Sequence, residues 1–252
     1  GSSLVPYLRK LGYQIFCLGR QSSDKINVVV DFANYKSIAT ALDSCNPDFV
    51  INLAALTNVD LCESNPHLAY IANVKVVEDL SSWIRDNSRC HLIQVSTDHV
   101  YDGLGPHSEK SIKIVNYYGL TKYAGELAAS SVSSIILRTN FFGKSNCSSR
   151  DSFSDWIFNS LLKEDHISVF DDLYFSPLSI ASVNKYIHMV MENPVSGTFN
   201  LGSLGGFSKA NFAYTFAEIL GMSTKKFIRT SFKHNDTKVQ RPSDMRMNCL
   251  KF

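Results

Sequence analysis

Short runs of apolar residues, each long enough for one buried strand, alternate in this sequence with segments of helical periodicity. The clearest runs are Tyr13–Leu18, Phe49–Ala55, His91–Val95 and Ile135–Leu137. Strands that are apolar on both faces are typical of a parallel sheet covered by helices on both sides. Parallel neighbours also need a helix-length crossover between them, which the intervening segments provide. The sequence therefore predicts an α/β protein built on a doubly wound parallel sheet.

Composition narrows the kind of protein further. A chain of 252 residues can bury a sizeable core and carry a smaller attached lobe. Its 25 basic and 23 acidic side chains nearly balance, which gives no argument for a nucleic-acid partner or an anionic membrane surface. No apolar run approaches the roughly 20 residues of a membrane span. We therefore expect a cytoplasmic protein that binds neither nucleic acid nor membrane.

The cysteines support the same compartment and predict no metal site. They are scattered singly, without a Cys-x-x-Cys pair and without a histidine at zinc spacing. Such a pattern is typical of reduced thiols in a cytosolic protein. The six positions are Cys17, Cys45, Cys62, Cys90, Cys147 and Cys249.

The stretch from Ser96 to Glu126 has the residue types needed for proton transfer. Tyr118 and Lys122 are four residues apart in a predicted helix, so both side chains lie on one face. A nearby cation favours the ionised phenol and lowers the pKa of a tyrosine. Thr97, at the carboxyl end of a predicted strand, could bind the oxygen that receives the proton. These residues predict a site that exchanges a proton with a carbonyl or an alcohol.

The beginning of the chain departs from the usual dinucleotide pattern. Such folds begin with a strand and a glycine-rich turn, followed by a helix whose N-terminus binds the pyrophosphate. Here a helical pattern begins at once, and only Gly1 stands where such a turn would end. We expect the first strand and most of the turn to precede residue 1. The alternative is that residues 1–3 are a cloning remnant.

Two blocks of the stretch from Ser96 to Glu126, Ser96–Gly103 and Asn116–Glu126, match known motifs. The first is similar to a Ser-Thr-Asp-Tyr-Val-Phe-Asp-Gly stretch and the second to a Tyr-Gly-x-Thr-Lys-x-x-Gly-Glu helix. Both motifs resemble those of the extended branch of the short-chain dehydrogenase/reductase superfamily, and within it the dTDP-4-dehydrorhamnose reductases. A lone Tyr-x-x-x-Lys is weak evidence, but further blocks follow in the order of that family. They are Arg138–Gly143, Asp171–Asp172, Ser176–Pro177, Gly197–Gly202 and Arg241–Pro242.

The resemblance implies roles for the catalytic residues. Tyr118 would be the general acid, Lys122 would tune it and bind the nicotinamide ribose, and Thr97 would hydrogen-bond the substrate oxygen. It also implies a cofactor side formed by Gly1, Arg20, Asp31, Phe32, Ala54 and Ala55, together with Tyr118 and Lys122. An arginine after the second strand can pair with a 2′-phosphate, so NADP (as NADPH) is favoured over NAD. The alternatives are that NAD is used and that Arg20 is a solvated surface residue.

On the substrate side, the resemblance implies Asp98, Asn140, Phe141 and Arg241. Sugar-nucleotide dehydratases have Asp-Glu after the threonine, whereas this chain has Asp98-His99, which disfavours dehydration. Asp98 could bind the sugar or cap the loop. The block that begins at Arg138 is one residue shorter than in many relatives.

The function implied is NADPH-dependent reduction of the 4-keto group of a nucleotide-linked deoxysugar, in particular dTDP-4-dehydrorhamnose to dTDP-L-rhamnose. One alternative is a non-catalytic NADP-binding subunit, because the family includes the regulatory beta subunit of methionine adenosyltransferase. The other alternative is a sugar-nucleotide epimerase of the same branch. A homodimer is also left open. We expect an NADP-binding Rossmann-like domain at 1–140 plus about 165–202. A smaller mixed α/β substrate lobe is expected at 141–165 and 203–252, with the sugar in a cleft.

Overall fold

The computed structural model describes residues 1–87, 89–145, 151–232 and 239–252. Cys147 lies outside these described residues. The chain divides into two units, each made of several separate stretches. The first unit contains residues 1–97, 116–138 and 184–199, and the second contains residues 98–115, 139–183 and 200–252. The cofactor and substrate lobes expected from the sequence stay a prediction.

The first unit is built on parallel strands covered by helices. Phe49 of one strand lies opposite His91 of the next, and Asn52 lies opposite Gln94. The Asn52 amide donates to the Gln94 amide oxygen at 2.8 Å, so these buried polar groups bind each other. The predicted α/β class is confirmed. The elements in chain order are α1 (Leu4–Lys10), β1 (Leu18–Gly19), β2 (Val28–Val29), α2 (Tyr35–Cys45), β3 (Phe49–Asn52), α3 (Val59–Ser64), α4 (Pro66–Tyr70), α5 (Val76–Asp86), β4 (His91–Thr97), α6 (Tyr117–Ala129) and β5 (Ser134–Phe142).

The strand predicted over residues 13–18 is much shorter in the structure. Only Leu18 and Gly19 form β1, which pairs in parallel with β2. Backbone hydrogen bonds begin where the Cys17 carbonyl accepts from Asn27 at 2.8 Å. Apolar residues therefore predicted the position of this strand but not its length, because a strand extends only as far as its hydrogen-bonding partner.

The long helix predicted over residues 66–86 is interrupted. A π-helical turn, Ile71–Lys75, separates α4 from α5, and the short helix α3 before Pro66 was not predicted. Asn65 ends α3 and its side-chain oxygen accepts from the Leu68 backbone at the start of α4. The π turn brings a buried asparagine toward the candidate site, as described below.

The core of the first unit lies between the sheet and the helices α2, α5 and α6. It is formed by Val30, Ile38, Ala41, Leu42, Val76, Val77, Leu80, Trp83, Ile84, Cys90, Leu92, Ala129 and Ile136. Burial of this apolar surface is the main stabilising contribution to the unit, at roughly 25 cal/mol per Å².

The second unit is a mixed α/β structure with its own core. Parallel pairs join Ile167–Phe170 to Phe227–Thr230 and the end of β5 to Pro177–Ser179. The strands Tyr174–Phe175 and Phe207–Ser208 pair in antiparallel orientation. Phe175 and Phe212 pack edge to face at 5.4 Å between ring centroids in the centre of this core. Its elements continue the chain as α7 (Phe153–Lys163), β6 (Ile167–Phe170), β7 (Tyr174–Phe175), β8 (Pro177–Ser179), α8 (Ile180–Glu192), β9 (Gly197–Leu201), β10 (Phe207–Ser208), α9 (Lys209–Ile219) and β11 (Phe227–Thr230). The elements β5, α8 and β9 contribute residues to both units.

Within the described part of the chain, no helix is long and apolar enough to cross a membrane. The same residues hold no group of three or more His, Cys, Asp or Glu side chains placed to bind a metal ion.

Candidate active site

Helix α6 brings Tyr118 and Lys122 onto one face, as their spacing predicted. The helix begins after Asn116, whose side-chain oxygen accepts from the Gly119 backbone at 2.9 Å. Tyr118 and Lys122 are 8% and 3% exposed, respectively. Tyr118 and Lys122 are therefore two buried side chains in the first turns of a capped helix.

The Lys122 ammonium is fixed against the neighbouring strand. Its Nζ donates to the Val95 carbonyl oxygen at 2.7 Å. Burial lowers the pKa of Lys122 to about 8, and the nearby Glu126 carboxylate opposes this effect. The lysine is therefore mainly protonated at pH 7, so it can favour the ionised form of Tyr118.

Thr97 is the last residue of β4 and is 4% exposed. Ser96, just before it, donates its hydroxyl to a Glu126 carboxylate oxygen in a short hydrogen bond. The strand end that carries Thr97 therefore contacts two side chains of α6, Lys122 and Glu126, which lie on successive turns of the helix. All of these groups belong to the first unit.

The π-helical turn supports α6 from a second direction. Asn73, 1% exposed, donates to the Leu56 carbonyl at 3.0 Å and accepts from the Leu56 backbone N–H at 2.8 Å. It also donates to the Thr121 hydroxyl at 3.0 Å. A Cβ on Gly125 would collide with the Asn73 carbonyl, so this close approach requires glycine. Asn73 joins the loop after β3 to α6.

Apolar side chains surround the Tyr118 ring. Tyr118 packs in a cluster with Cys62 and Ala69, and Leu56 and Val59 lie against it. Burial raises the pKa of the Cys62 thiol to about 11, so the thiol stays neutral at physiological pH. These apolar contacts hold the Tyr118 ring in place.

The predicted cofactor residues also lie in the first unit, mostly after strand ends. Arg20 is exposed directly after β1, and Ala54 and Ala55 are partly buried after β3. An Asp31 side-chain oxygen accepts from the Ala33 backbone at 3.0 Å, which forms a turn. Phe32 packs against the first core. At the start of the chain, the Gly1 carbonyl accepts from the Val5 backbone N–H at 2.9 Å.

The predicted substrate residues lie in the second unit. Asn140 donates to an Asp98 oxygen at 2.8 Å, and Asp98 is fully buried. Phe141, the next residue of β5, is 50% exposed. Arg241 is partly buried and donates to the Val239 carbonyl at 3.3 Å. The structure therefore brings Asp98 and Asn140 into direct contact.

Sequence reasoning missed Lys209, the first residue of α9. Its ammonium lies 3.4 Å from the Phe175 ring centroid and 4.5 Å from that of Phe153. Burial lowers the pKa of Lys209 to about 8, and the Asp98 charge opposes this effect. Burial also lowers the pKa of His99 to about 3, helped by the charges of Lys209 and Arg241. The imidazole is therefore neutral. The sequence could not predict this site, because a lysine at the start of a helix does not indicate that aromatic rings from other elements will pack against it.

Known proteins share this fold and sequence pattern. A Haloferax volcanii protein described as "Probable low-salt glycan biosynthesis reductase Agl14" is 29% identical over 99% of this chain and 85% of its own length. The dTDP-4-dehydrorhamnose reductase of Salmonella typhimurium is 29% identical over 88% of this chain and 78% of its own.

A solved structure has the same fold. It is the dTDP-4-dehydrorhamnose reductase of Bacillus anthracis in complex with NADP, with a TM-score of 0.86 and 23% identity. The match covers 100% of this chain and 86% of that one. The predicted Rossmann-like fold is thereby confirmed. The family described as the RmlD substrate binding domain matches residues 1–252. The resemblance seen in the sequence blocks is therefore confirmed, and the chain belongs to the RmlD substrate-binding-domain family.

Proposed function

We propose that this protein is an NADPH-dependent reductase of a nucleotide-linked sugar, and that its substrate is the 4-keto deoxysugar dTDP-4-dehydrorhamnose. The observation that carries the proposal is the joint placement of Thr97, Tyr118 and Lys122. Lys122 is held by the strand end that carries Thr97, and it lies one helical turn from Tyr118. The two relatives are named as a probable glycan biosynthesis reductase and a dTDP-4-dehydrorhamnose reductase, and these names support the same reaction class.

The side chains of this chain would manage the oxygen of the reacting carbonyl. Thr97 would donate a hydrogen bond to that oxygen, and Tyr118 would give it a proton as the keto group becomes an alcohol. Lys122 would stabilise the phenolate that Tyr118 becomes, because a cation close to a phenol favours its ionised form. The apolar cluster around Tyr118 would strengthen this electrostatic effect by excluding water.

The residues of the first unit fit a nicotinamide dinucleotide phosphate. When bound, this cofactor supplies the hydride for the reduction. Arg20 has an exposed guanidinium after β1, the group that pairs best with a 2′-phosphate. Ala54 and Ala55 have small side chains after β3, which leaves room for a flat ring near the backbone. Lys122 would bind the ribose.

The substrate would be held by Asp98, Asn140, Phe141 and Arg241 of the second unit. Asp98 and Asn140 already bind each other, so Asn140 would fix the direction of the carboxylate. Phe141 has an exposed ring that can contact an apolar face of the sugar or base.

The direct test is oxidation of NADPH in the presence of a panel of 4-keto sugar nucleotides. Tyr118→Phe should lower kcat about 10²- to 10⁴-fold, because it removes the general acid. Tyr117→Phe is the matched control, since Tyr117 is the adjacent, more exposed tyrosine of the same helix, and it should keep wild-type rates. Equal rates for wild type and Tyr118→Phe would contradict the mechanism.

Cofactor preference has its own test. Arg20→Gln should raise the Kd for NADPH about tenfold, since a charge-assisted bond is lost, and should leave the Kd for NADH unchanged. Arg9→Gln removes another exposed arginine of the same unit and should change neither. Tight NADPH binding without oxidation by any sugar nucleotide would favour a regulatory subunit instead. Conversion of a sugar nucleotide without net NADPH consumption would favour an epimerase.

A further inference from the structure

Glu126 is a buried carboxylate that the proposed reaction does not use. It is 3% exposed and lies on the α6 face that carries Lys122, one turn further along. One of its oxygens accepts from Ser96 Oγ and, at 3.0 Å, from Arg138 Nε. The other accepts from Arg138 Nη2 at 2.5 Å and from Nε at 3.1 Å. Glu126 therefore joins β4, α6 and β5 through one side chain.

These bonds fix helix α6 at two levels on the same strand. Lys122 donates to the Val95 carbonyl, and Glu126 accepts from Ser96, the next residue. Two successive turns of the helix thus hold two successive residues of the strand. Thr97 is the third residue of this run, and Tyr118 lies one turn before Lys122. Any sliding of α6 along β4 would have to break both bonds.

We infer that Glu126 is a positioning residue, which fixes where Thr97, Tyr118 and Lys122 stand relative to one another. This inference deepens the proposed function and rests on it for the roles of those three residues. Glu126 acts through Ser96 on the strand end and through its own helix on Tyr118 and Lys122. It has no direct part in proton transfer.

Electrostatics give Glu126 a second effect on the same lysine. Its charge raises the pKa of Lys122 against the lowering by burial, so the ammonium keeps its proton to higher pH. Other groups that contact the network include the neutral Ser96 and the Val95 carbonyl of β4. They also include the guanidinium of Arg138, which lies 5.9 Å from the Tyr123 ring centroid. Arg138 balances the Glu126 charge, as buried carboxylates require.

A buried ion pair can also be purely structural, so the test must separate position from stability. The double variant Glu126→Gln/Arg138→Gln removes both charges together and leaves two amides that can bind each other. This avoids an unpaired buried charge. The matched control is Asp244→Asn/Arg246→Gln, which removes a second carboxylate–guanidinium pair, joined at 2.6 Å, in the second unit.

The readout is the titration of the Lys122 side-chain nitrogen, followed by NMR in protein labelled with ¹⁵N-lysine and assigned with Lys122→Arg. The midpoint should fall below the wild-type value of about 8 in the Glu126/Arg138 double variant, because the Glu126 carboxylate, one helical turn away, is the charge that raises the Lys122 pKa, and it should stay unchanged in the control. With NADPH and substrate, the pH above which kcat falls should move by the same amount. The rate itself should drop about 100-fold, as expected for misplaced reacting groups.

Ser96→Ala provides a milder variant in case the double variant does not fold. It removes one hydrogen bond and keeps the Glu126 charge, so kcat should fall while the Lys122 midpoint stays at the wild-type value. A wild-type midpoint and pH profile in the double variant, with only thermal stability lowered, would overturn the inference. A wild-type rate for Ser96→Ala would also overturn it. Absence of NADPH oxidation by the wild type would refute the proposed function instead, and the Lys122 midpoint would still decide the electrostatic effect of Glu126.

Discussion

Lys122 of α6 and Lys209 of α9 are lysines in different units whose ammonium groups are removed from water in different ways. Lys122 donates to a carbonyl oxygen at 2.7 Å and has Glu126 one turn away. Lys209 lies over the ring faces of Phe175 and Phe153, and the charge of Asp98 opposes the lowering of its pKa. Burial lowers the pKa of each to about 8.

The difference predicts that two lysines with a similar pKa have different roles. A hydrogen bond to a carbonyl fixes the direction of the Lys122 ammonium, as the proposed tuning of Tyr118 requires. Ring faces attract a cation without fixing its direction, because the interaction depends mainly on distance from the ring centroid. We therefore expect replacement of the two lysines to have different effects on kcat, whereas their titration midpoints should be similar.

The largest expected effect is on catalysis. Lys122→Met should lower kcat for NADPH-dependent reduction about 10²- to 10⁴-fold, because Tyr118 loses the cation that favours its ionised form. Lys209→Met keeps a side chain of similar length and should cost less than about tenfold, since Lys209 has no part in proton transfer. Steady-state rates for both variants, with circular dichroism to verify folding, test this difference. Equal losses would contradict the separate roles.

The next effect is on the pH dependence of stability. The folded pKa of Lys122 is about 8, below the roughly 10.4 of an unfolded lysine. Between these values the unfolded chain holds a proton that the folded protein has lost, so this group makes stability rise with pH, by at most about 3 kcal/mol. Lys209, whose folded pKa is also about 8, should act in the same direction.

Urea unfolding at a series of pH values measures this effect as a difference between wild type and each methionine variant. The difference is needed because burial raises the pKa of Cys62 to about 11 and of Cys90 to about 12. Unfolded thiols ionise first, so these cysteines make stability fall as pH rises above about 9. Each methionine variant should lack part of the rise between pH 8 and 10.4. A variant that follows the wild-type curve would show that its lysine is not desolvated.

Much of the Lys122 region could be predicted from the sequence. The spacing of Tyr118 and Lys122 depends only on helical geometry, and apolar runs mark buried strands wherever the chain is long enough to pair. The predicted helix, Tyr118 to about 131, differs by one residue at its start from the observed Tyr117–Ala129. The strand expected at 135–137 was too short, because β5 continues to Phe142 by pairing with β8.

The rest depends on contacts between residues distant in sequence. Asn73 bonds to Leu56 and Thr121, and no local periodicity records these partners or the π turn that carries them. Lys209 lies over Phe153 and Phe175, which come from other elements of the second unit. Residue order thus identified the groups that share one helix face but not the groups that meet through tertiary packing.

The smallest expected effect concerns the rings around Lys209. Phe175→Leu should lower the midpoint of the Lys209 titration by about one pH unit, because a desolvated cation–π contact is worth about 1–2 kcal/mol. Phe153→Leu should have a smaller effect, since its ring centroid is 4.5 Å from the ammonium instead of 3.4 Å. The ¹⁵N-lysine titration measures both lysines in one sample, and the Lys122 midpoint should not move. If Phe175→Leu left the Lys209 midpoint at about 8, Asp98 rather than the rings would be what keeps this cation charged.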